Sequence, residues 1–456
     1  EITIGDWSSD VCSSDLGDKR EDILNGMPMH YSCHRVNYDC ELPDSVIESE
    51  IPATVKEAKT FAELYKALND MKTELESDMT IESVDITMDV PDDSTEDDSE
   101  VMIRMNIQEL EGLTTSLAVE NVPDNNDVYL GGGVMNMNPT MRMDYVNLTS
   151  MYSPVRGNQI TRLSYETRHS LFGCPFSLSM EREYQNRLIE SSVNVYSTRM
   201  KMGIHDRRGR YNLECGIHWR DLLPLGDIDE QRILRTQCSL SMLKECHPSL
   251  KSTLAFRYHY DTQDTPDNPT EGTMFDVSTE YNGFFGDVNS IKAECSLSTT
   301  IPLSGEIDQE PGLLLHLKGY GGMIQNLNRR RTRYVDRFFL NSRYVHGMDV
   351  RDFGPRSKPE EGGRKEGDVL GGDCCAAFSA ALSLPVILSH EYSYNIRSKL
   401  FMEAGNVWNP GMRGEDILKS TRSVFGIGFT MPFMGMGSFD VCYLFNQKRF
   451  AFSFFS

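Results

Sequence analysis

Hydrophobic and polar side chains alternate in many short segments of the chain between about residues 112 and 456. Clear examples are residues 192–197, 252–260, 296–301 and 423–429, and turn-rich breaks such as Asn409-Pro410-Gly411 separate such segments. Period-two alternation over short runs predicts β-strands with one apolar face. By this criterion there are roughly 16 or 17 candidate strands, about five of them after a long loop. The pattern predicts an all-β sandwich, propeller or barrel.

The pattern differs between residues 33 and 110, where it predicts a small α+β domain. Apolar residues from Val55 to Leu75 recur at three- and four-residue steps, which predicts one helix with a buried face. Two alternating strands follow at residues 81–88 and 101–107, joined by an acidic segment that we expect to be a solvated loop. Residues 1–32 form an N-terminal tail. Residues 1–16 resemble a translated sequencing adapter and are excluded from the fold prediction.

Composition argues against several classes of function. The net charge of -23 disfavours a nucleic-acid partner, for which a basic surface is expected. No apolar run approaches the ~18 residues of a membrane helix, but a barrel strand is apolar on only one face. The eleven cysteines include no Cys-x-x-Cys pair, and no metalloprotease, hydrolase or phosphate-loop motif occurs. We therefore predict no enzyme activity, no catalytic residue, no metal and no cofactor.

The C-terminal strand carries the sequence argument for a membrane. In residues 449–456, Phe450, Phe452 and Phe454 lie on one face, with Ala451 and Ser453 on the other. Three aromatic side chains on one face of a terminal strand suit lipid, whereas a water-soluble sheet would cover them with a second layer. Strands that cross hydrocarbon must close into a barrel, because open edges are not tolerated there.

The loop at residues 337–373 is too long for a hairpin turn and carries glycines, prolines and charges of both signs. A loop of this length in a compact domain is either functional or disordered. Four of its segments are informative: Phe338-Phe339-Leu340, Tyr344-Val345-His346-Gly347-Met348, Gly354-Pro355-Arg356 and Gly367-Asp368-Val369-Leu370-Gly371-Gly372.

Together these segments resemble the signature of the outer-membrane β-barrel assembly family, and of its mitochondrial sorting-and-assembly branch in particular. The resemblance implies a mainly β fold, with a transmembrane antiparallel barrel of about 16 strands at residues 112–456. It implies one polypeptide-transport-associated (POTRA) domain at residues 33–110. It also implies that the long loop folds into the barrel. The implied tip is Val345, His346, Gly347 and Met348, and the remaining loop motif is Gly354, Pro355, Arg356, Gly367, Asp368, Leu370, Gly371 and Gly372.

The tip departs from the family at one position, because His346 stands where the family has arginine. An unperturbed histidine is mostly neutral at ordinary pH, which puts the family's tip salt bridge in doubt here. The resemblance implies a wall contact around Glu403. A protonated His346 is expected to pair with Glu403, and a neutral one to donate a hydrogen bond. The alternative is that Glu403 is only a polar residue facing the lumen.

The resemblance implies that the protein inserts β-barrel precursors into the mitochondrial outer membrane, with its N-terminal domain in the intermembrane space. Precursor strands would pair at the seam between the first strand, either 127–136 or 113–121, and the last strand with Phe450, Phe452 and Phe454. Expected partners are precursors, accessory subunits of the assembly complex and outer-membrane lipid. The alternatives are a passive pore, a plastid protein-import barrel, or, from another class, a soluble β-rich binding protein.

Overall fold

A computed structural model describes most of the chain. The described residues are 2–3, 35–39, 42–58, 60–89, 102–122, 127–170, 174–225, 238–265, 268–305, 312–328, 331–358, 366–386, 396–432 and 438–455. The chain divides into two compact units. The first contains residues 1–115, 134–147 and 165–176, and the second contains residues 116–133, 148–164 and 177–456. The sequence prediction cuts the chain once, near residue 111, whereas this division assigns two later segments to the first unit.

Within the described residues, the first unit contains a four-stranded sheet and three helices. Its strands are β1 (Ile2–Thr3), β2 (Arg35–Asp39), β3 (Ile81–Asp89) and β4 (Met102–Glu109), and its helices are α1 (Asp44–Glu50), α2 (Ala53–Glu57) and α3 (Phe61–Glu76). The sheet order is β1-β3-β4-β2, with β2 parallel to β4 and β3 antiparallel to it. Leu64, Leu68 and Leu75 of α3 are buried in one cluster with Val84 and Ile103 of the sheet. This arrangement is consistent with the predicted α+β domain.

The single helix predicted from Val55 to Leu75 is wrong, because the structure divides it into α2 and α3. Thr60 accepts a hydrogen bond from the main-chain N–H of Glu63, and the Glu63 side chain accepts one from the N–H of Thr60. This reciprocal capping box starts a new helix at residue 61. The Thr-x-x-Glu spacing is visible in the sequence, but the apolar periodicity continues across it.

Two later segments belong to the first unit through polar contacts. The guanidinium of Arg168 lies 2.8 Å from Glu50 Oε2, 2.8 Å from Glu74 Oε1 and 3.5 Å from Asp78 Oδ2. The side-chain amide of Asn138 donates to main-chain oxygens that close the ends of β3 and β4, at Thr80 (3.1 Å) and Leu110 (3.0 Å). These contacts explain why residues 134–147 and 165–176 group with the α+β part.

A 16-stranded sheet makes up most of the rest of the chain, and its strands lie in sequence order. The strands are β5 (Gly112–Val122), β6 (Asp127–Met137), β7 (Asp144–Tyr152), β8 (Gln159–Thr167), β9 (Phe176–Arg187), β10 (Val193–His205), β11 (Tyr211–Pro224), β12 (Ser249–Asp261), β13 (Gly272–Gly286), β14 (Ser290–Pro302), β15 (Leu314–Asn326), β16 (Cys374–Pro385), β17 (Arg397–Trp408), β18 (Arg422–Pro432), β19 (Ser438–Leu444) and β20 (Arg449–Phe455). The predicted number of strands is confirmed, with five after the long loop. The order ends at β5 and β20, so the segment at 113–121 is the first strand and the segment at 127–136 is the second.

Short helical segments occur in the connections. They are α4 (Leu188–Ser191), α5 (Leu240–Leu243) and α6 (Gly414–Ser420), with one 3₁₀ turn at Tyr334–Asp336, directly before the long loop, and another at Val350–Asp352 inside it. Within the described residues, no helix combines the length and the apolar character that a bilayer crossing requires.

The strands of the large sheet expose apolar side chains at alternate positions. Leu254, Phe256 and Tyr260 of β12 are exposed, as are Phe425, Ile427 and Phe429 of β18 and Phe378 and Leu382 of β16. In β20, Phe450 and Phe452 are 65% and 66% exposed, while Ala451 between them is buried. No second layer of the described chain covers these side chains. The side chain of Phe454 lies outside the described residues. So large an apolar face, alternating with a polar one, is the pattern of strands that face lipid.

Prediction for the apolar face. Replacing Phe256 with Arg is expected to destabilise the folded protein in lipid vesicles by roughly 2–4 kcal/mol, because a charge would face hydrocarbon. The control is Ala255→Arg on the opposite face. Ala255 pairs with Glu214 on β11 and with Glu280 on β13, so an arginine there gains acidic neighbours. Urea unfolding, followed by the heat-dependent gel mobility of the folded form, measures both. Equal losses in the two variants would contradict the assignment of a lipid face.

Candidate functional site

The long loop is folded back on itself at its base. Phe338 and Gly372 exchange two main-chain hydrogen bonds, of 2.8 and 3.2 Å, and Arg356 forms a second antiparallel bridge with Val369. These two bridges pair the first and last parts of the described loop as the arms of a distorted hairpin. The loop tip lies between the two bridged residues of the first arm, Phe338 and Arg356. The sequence left open whether this loop is functional or disordered, and the described residues form an ordered loop.

Apolar side chains of the loop pack against the sheet. Phe338, Leu340, Val345 and Phe353 are buried in one cluster with side chains from β15 to β20. The sheet makes room for them with glycines. A Cβ at Gly322 would lie 2.4 Å from Phe338 Cζ, and one at Gly405 would lie 3.0 Å from Val345 Cγ2. The buried face of these strands is therefore shaped to receive the loop.

The loop reverses direction at its tip, Val345–Met348. The N–H of Met348 donates to the carbonyl of Val345 at 3.1 Å, and Gly347 has a φ of +70°. A Cβ at Gly347 would also lie 2.4 Å from Leu444 Cδ1 of β19. Glycine is required here for its backbone conformation and for the close approach to the sheet.

His346 joins the tip to two carboxylates on different strands. Its main-chain N–H donates to Glu403 Oε2 at 2.7 Å, and its Nδ1 lies 2.8 Å from Glu403 Oε1. On the other side of the ring, Nε2 lies 3.1 Å from Asp440 Oδ2. His346 is 7% exposed and both carboxylic residues are 4% exposed, so the whole contact is buried. The structure thus places Glu403 directly against His346.

Contacts of both ring nitrogens with carboxylates favour the positively charged form of His346, and the Lys399 ammonium lies 3.5 Å from the same Nε2. An ionised carboxylate only accepts hydrogen bonds, and a neutral imidazole carries one N–H. Both ring nitrogens can donate to Glu403 and Asp440 only in the imidazolium form. Burial and the Lys399 ammonium lower the pKa of His346, but Glu403 and Asp440 raise it by more, so this pKa lies above the ordinary value of 6.5. His346 can therefore carry a positive charge at the tip.

Sequence reasoning missed three residues of this site. Asp440 of β19 contacts His346, the Lys399 ammonium of β17 bonds to Asp440, and Arg449 of β20 donates to the main-chain oxygen of Gly347. Strand alternation places Lys399 on the same face as Glu403, which is a signal that the sequence does contain. Nothing local in the sequence shows that β19 and β20 come within reach of the loop.

The same residues resemble a possible metal site. Ligand atoms of His346, Asp440 and Cys442 lie within 4.8 Å of one another. However, the Lys399 ammonium binds the same Asp440 oxygen that His346 contacts, and Lys318 of β15 faces these carboxylates as well. A divalent cation there would lie beside an ammonium group, so we interpret the cluster as an ion-pair network.

A second anchor holds the returning arm of the loop through Asp368, which is fully buried. Its carboxylate accepts hydrogen bonds from Ser192 Oγ and from the main-chain N–H of Ser239, both at 2.8 Å. Ser191 Oγ donates to the carbonyl of Val369, also at 2.8 Å. Asp368 thus ties the loop to the connections before β10 and before β12. The sequence identified Asp368 as a motif residue but gave no indication of its partners.

The rest of the loop motif keeps the two arms together. Leu370 donates from its N–H to the carbonyl of Pro355 at 3.0 Å, and Arg356 Nη1 donates to the carbonyl of Glu366 at 3.3 Å. Gly354, Gly367 and Gly371 all have positive φ, and a Cβ at Gly372 would lie 2.7 Å from the Trp408 carbonyl oxygen. The Gly-Pro-Arg and Gly-Asp-x-Leu-Gly-Gly segments therefore meet in space.

Asp336, another residue that the sequence analysis missed, neutralises buried cations where the loop begins. Its Oδ1 lies 2.5 Å from Arg220 Nη1 and 3.1 Å from Lys251 Nζ. Burial raises the pKa of Asp336, but Lys251 and Arg220 lower it by more, and it falls well below its ordinary range. A stable carboxylate at this position supplies the negative charge that the two cations on β11 and β12 require.

Comparisons with a family model and with known proteins agree on one family. Residues 144–454 match the model of the Omp85 superfamily domain. The mouse protein named Sorting and assembly machinery component 50 homolog is 26% identical over 270 residues, which are 56% of this chain and 53% of the mouse protein. Outer membrane protein assembly factor BamA of Nitratidesulfovibrio vulgaris is 28% identical over 166 residues, 36% of this chain and 19% of that protein. The chain thus matches about half the length of the mouse relative.

A solved structure shares the fold. The crystal structure of BamA from Haemophilus ducreyi lacking POTRA domains 1–3 aligns with a TM-score of 0.69 at 17% identity, over 94% of this chain and 85% of that one. This likeness concerns the fold alone, which is that of a β-barrel with 16 antiparallel strands.

Prediction for the tip. Because the folded pKa of His346 is raised, its contribution to docking is expected to be complete below about pH 6.5 and to be lost as pH rises through that pKa. Docking should weaken by up to about tenfold per pH unit in this window, since one proton is released on undocking. Hydrogen–deuterium exchange of residues 341–348 as a function of pH measures the opening.

His346→Arg is the matched control, because its charge does not titrate in this range. The variant should show a flat opening profile after correction for the intrinsic exchange rate. The same pH profile in both proteins would show that the tip is not held by the charge of His346.

Proposed function

The chain belongs to the Omp85 superfamily, and we propose on this premise that it inserts β-barrel precursor proteins into the mitochondrial outer membrane. The observation that carries the proposal is the attachment of the loop tip to the last two strands of the sheet, through His346–Asp440 and Arg449–Gly347. A loop that is bonded to the last two strands of a sheet is suited to controlling the position of those strands. The names of the relatives, a sorting and assembly component and an outer membrane protein assembly factor, support the same function.

The end of the sheet is suited to exchange of strands. The pairing order ends at β5 and β20, and an end strand can offer main-chain donors and acceptors to an incoming strand. Within the described residues, β19 and β20 span 7 residues each, whereas β13 in the middle of the sheet spans 15. A short strand forms few main-chain hydrogen bonds with its neighbour and separates at lower cost. Precursor strands would pair at this seam, grow as hairpins and leave when their own ends close.

The loop tip would hold the last hairpin in place while the seam is open. His346 connects β17 to β19 through its two carboxylate contacts, and Arg449 connects β20 to the tip. These contacts keep β19 and β20 aligned with β17 without using main-chain hydrogen bonds of the seam. Main-chain pairing drives insertion in this proposal, so it requires neither catalysis nor a cofactor.

The proposed setting follows from the relatives and from the exposed apolar face. The barrel would lie in the mitochondrial outer membrane among its lipids, with the N-terminal domain in the intermembrane space and accessory subunits bound to it. A soluble binding protein would leave exposed aromatics such as Phe450 and Phe452 without an explanation. A passive pore or a plastid import barrel would share the lipid face, so only experiments on the seam distinguish those alternatives.

Prediction for the seam. A photo-crosslinker at Phe452 on the last strand is expected to capture a stalled β-barrel precursor, because that strand borders the proposed entry site. The control is the same crosslinker at Phe256, which is also exposed but lies on β12 in the middle of the sheet. Crosslinked products are detected on gels after import of a labelled precursor. Capture at neither position would favour a passive pore, and equal capture at both would indicate nonspecific contact.

Prediction for the tip in assembly. His346→Ala removes the cation between Glu403 and Asp440, and breaking a buried ion pair in this way costs roughly 3–5 kcal/mol. Assembly of labelled precursors in isolated mitochondria should slow at least several-fold. His346→Arg should restore it, because a guanidinium can bond both carboxylates. Unchanged assembly in a folded His346→Ala protein would remove the tip from the mechanism.

A further inference from the structure

A cavity of about 500 Å³ lies beside the last strand, between β20 and the loop. Four consecutive residues of β20, 449–452, form one side, and residues of the loop, including Gly347 and Met348 of its tip, form the other. Alternate residues of a strand point to opposite faces, so the cavity extends along the edge of β20 rather than over one face. A second cavity of about 400 Å³ adjoins it and shares Met348, Asp352 and Arg449.

Four arginines line the two cavities: Arg351, Arg356, Arg422 and Arg449. Three of them bond neutral acceptors within the part of the chain that the structure describes. Arg356 donates to the carbonyl of Glu366 and Arg422 to that of Asp352, each at 3.3 Å. Arg449 donates to the carbonyl of Gly347 and, at 2.6 Å, to Gln447 Oε1. Each guanidinium has five N–H groups, so several donors remain for an anionic ligand.

Three acidic residues also line the cavities, but two of them have internal partners. Asp349 Oδ1 accepts from the N–H of Val350 at 2.7 Å, and Asp352 Oδ2 accepts from the N–H of Asp349 at 2.8 Å. These bonds cap the 3₁₀ turn Val350–Asp352. Asp349 Oδ2 lies 3.4 Å from the exposed Arg351 guanidinium, and Glu366 is the third acid. In a chain with a net charge of -23, this is a locally basic cavity.

The cavity lies where the arginine side chains are next to the exposed apolar side chains of β20. In an antiparallel sheet whose strands follow chain order, alternate connections lie at the same end, so the long loop and the turn at residues 445–448 share one end. Arg449 stands at this end, and the exposed Phe450 and Phe452 follow on the same strand. Cationic donors are therefore adjacent to a lipid-facing surface, at the level where headgroups meet acyl chains.

We propose that this cavity binds the headgroup phosphate of an anionic phospholipid, with an acyl chain along Phe450 and Phe452. Guanidinium groups bind phosphate oxygens through paired, charge-assisted hydrogen bonds, and the two aromatic rings provide contact for hydrocarbon. The proposal rests on the lipid-facing strands and not on precursor insertion. A lipid in this cavity occupies the edge of β20, so any strand that pairs there displaces it.

The test is native mass spectrometry of the detergent-solubilised full chain, incubated with equal amounts of phosphatidylglycerol and phosphatidylcholine. The wild type is expected to retain phosphatidylglycerol about tenfold better. The double variant Arg351→Gln and Arg422→Gln should lose this preference. Arg208→Gln is the matched control, because Arg208 is exposed in the turn between β10 and β11, at the other end of the sheet. Heat-dependent gel mobility verifies that each variant is folded.

Three outcomes would overturn the proposal. In the first, the folded double variant retains phosphatidylglycerol as well as the wild type does. In the second, the wild type shows no preference for the anionic lipid. In the third, inorganic phosphate displaces the lipid completely from the wild type, which would identify a small-anion site without hydrocarbon contact. Crosslinking of an acidic precursor segment, together with no retained lipid, would assign the cavity to peptide instead.

Discussion

The structure depends on one constraint, the need of a strand to be apolar on the side that meets lipid and polar on the other. Sixteen strands with this alternation collect charged side chains, such as Arg220, Lys251 and Glu403, on the face away from lipid. Buried charges are costly unless they are paired. The connection between β15 and β16 provides opposite charges at two places. Asp336, directly before the long loop, pairs with Arg220 and Lys251, and His346 in the loop pairs with Glu403. The loop is thus an electrostatic complement of the sheet as well as an apolar plug against β15 to β20.

The two anchors of the loop differ in chemistry, and this difference assigns them different roles. Asp368 is held by a hydroxyl group and a main-chain N–H, neither of which titrates near neutral pH. His346 is held by two carboxylates, and a proton on each ring nitrogen lets the ring donate to both of them. The returning arm therefore stays fixed under conditions that release the tip. Because only the tip is held by a group that titrates near neutral pH, the tip can undock while the base of the loop stays in place.

Local patterns predicted the strands and the α+β region, because alternation and turn composition are encoded within a few residues, whereas the residues of the loop motif were identified through the family resemblance. The partners of the tip were not predictable in the same way. Lys399 and Glu403 share a strand face in the sequence. However, Asp440 contacts His346, and Arg449 contacts Gly347, only through the three-dimensional course of the loop. The protonation state of His346 was left open for the same reason, since the reference pKa of histidine contains no information about two buried carboxylates. The break between α2 and α3 was missed because the capping signal at Thr60 competes with a continuous apolar stripe.

The anchoring bonds of the loop connect residues that are far apart along the chain. Ser192 and Asp368 are 176 residues apart, and His346 and Asp440 are 94 residues apart. Contacts of such long range form late, because the intervening chain must first be ordered. The tip has no complete binding site until β19 has been added to the sheet. During biogenesis, the loop would therefore lock only after the C-terminal strands arrive, which makes its docking a signal that the polypeptide has finished folding.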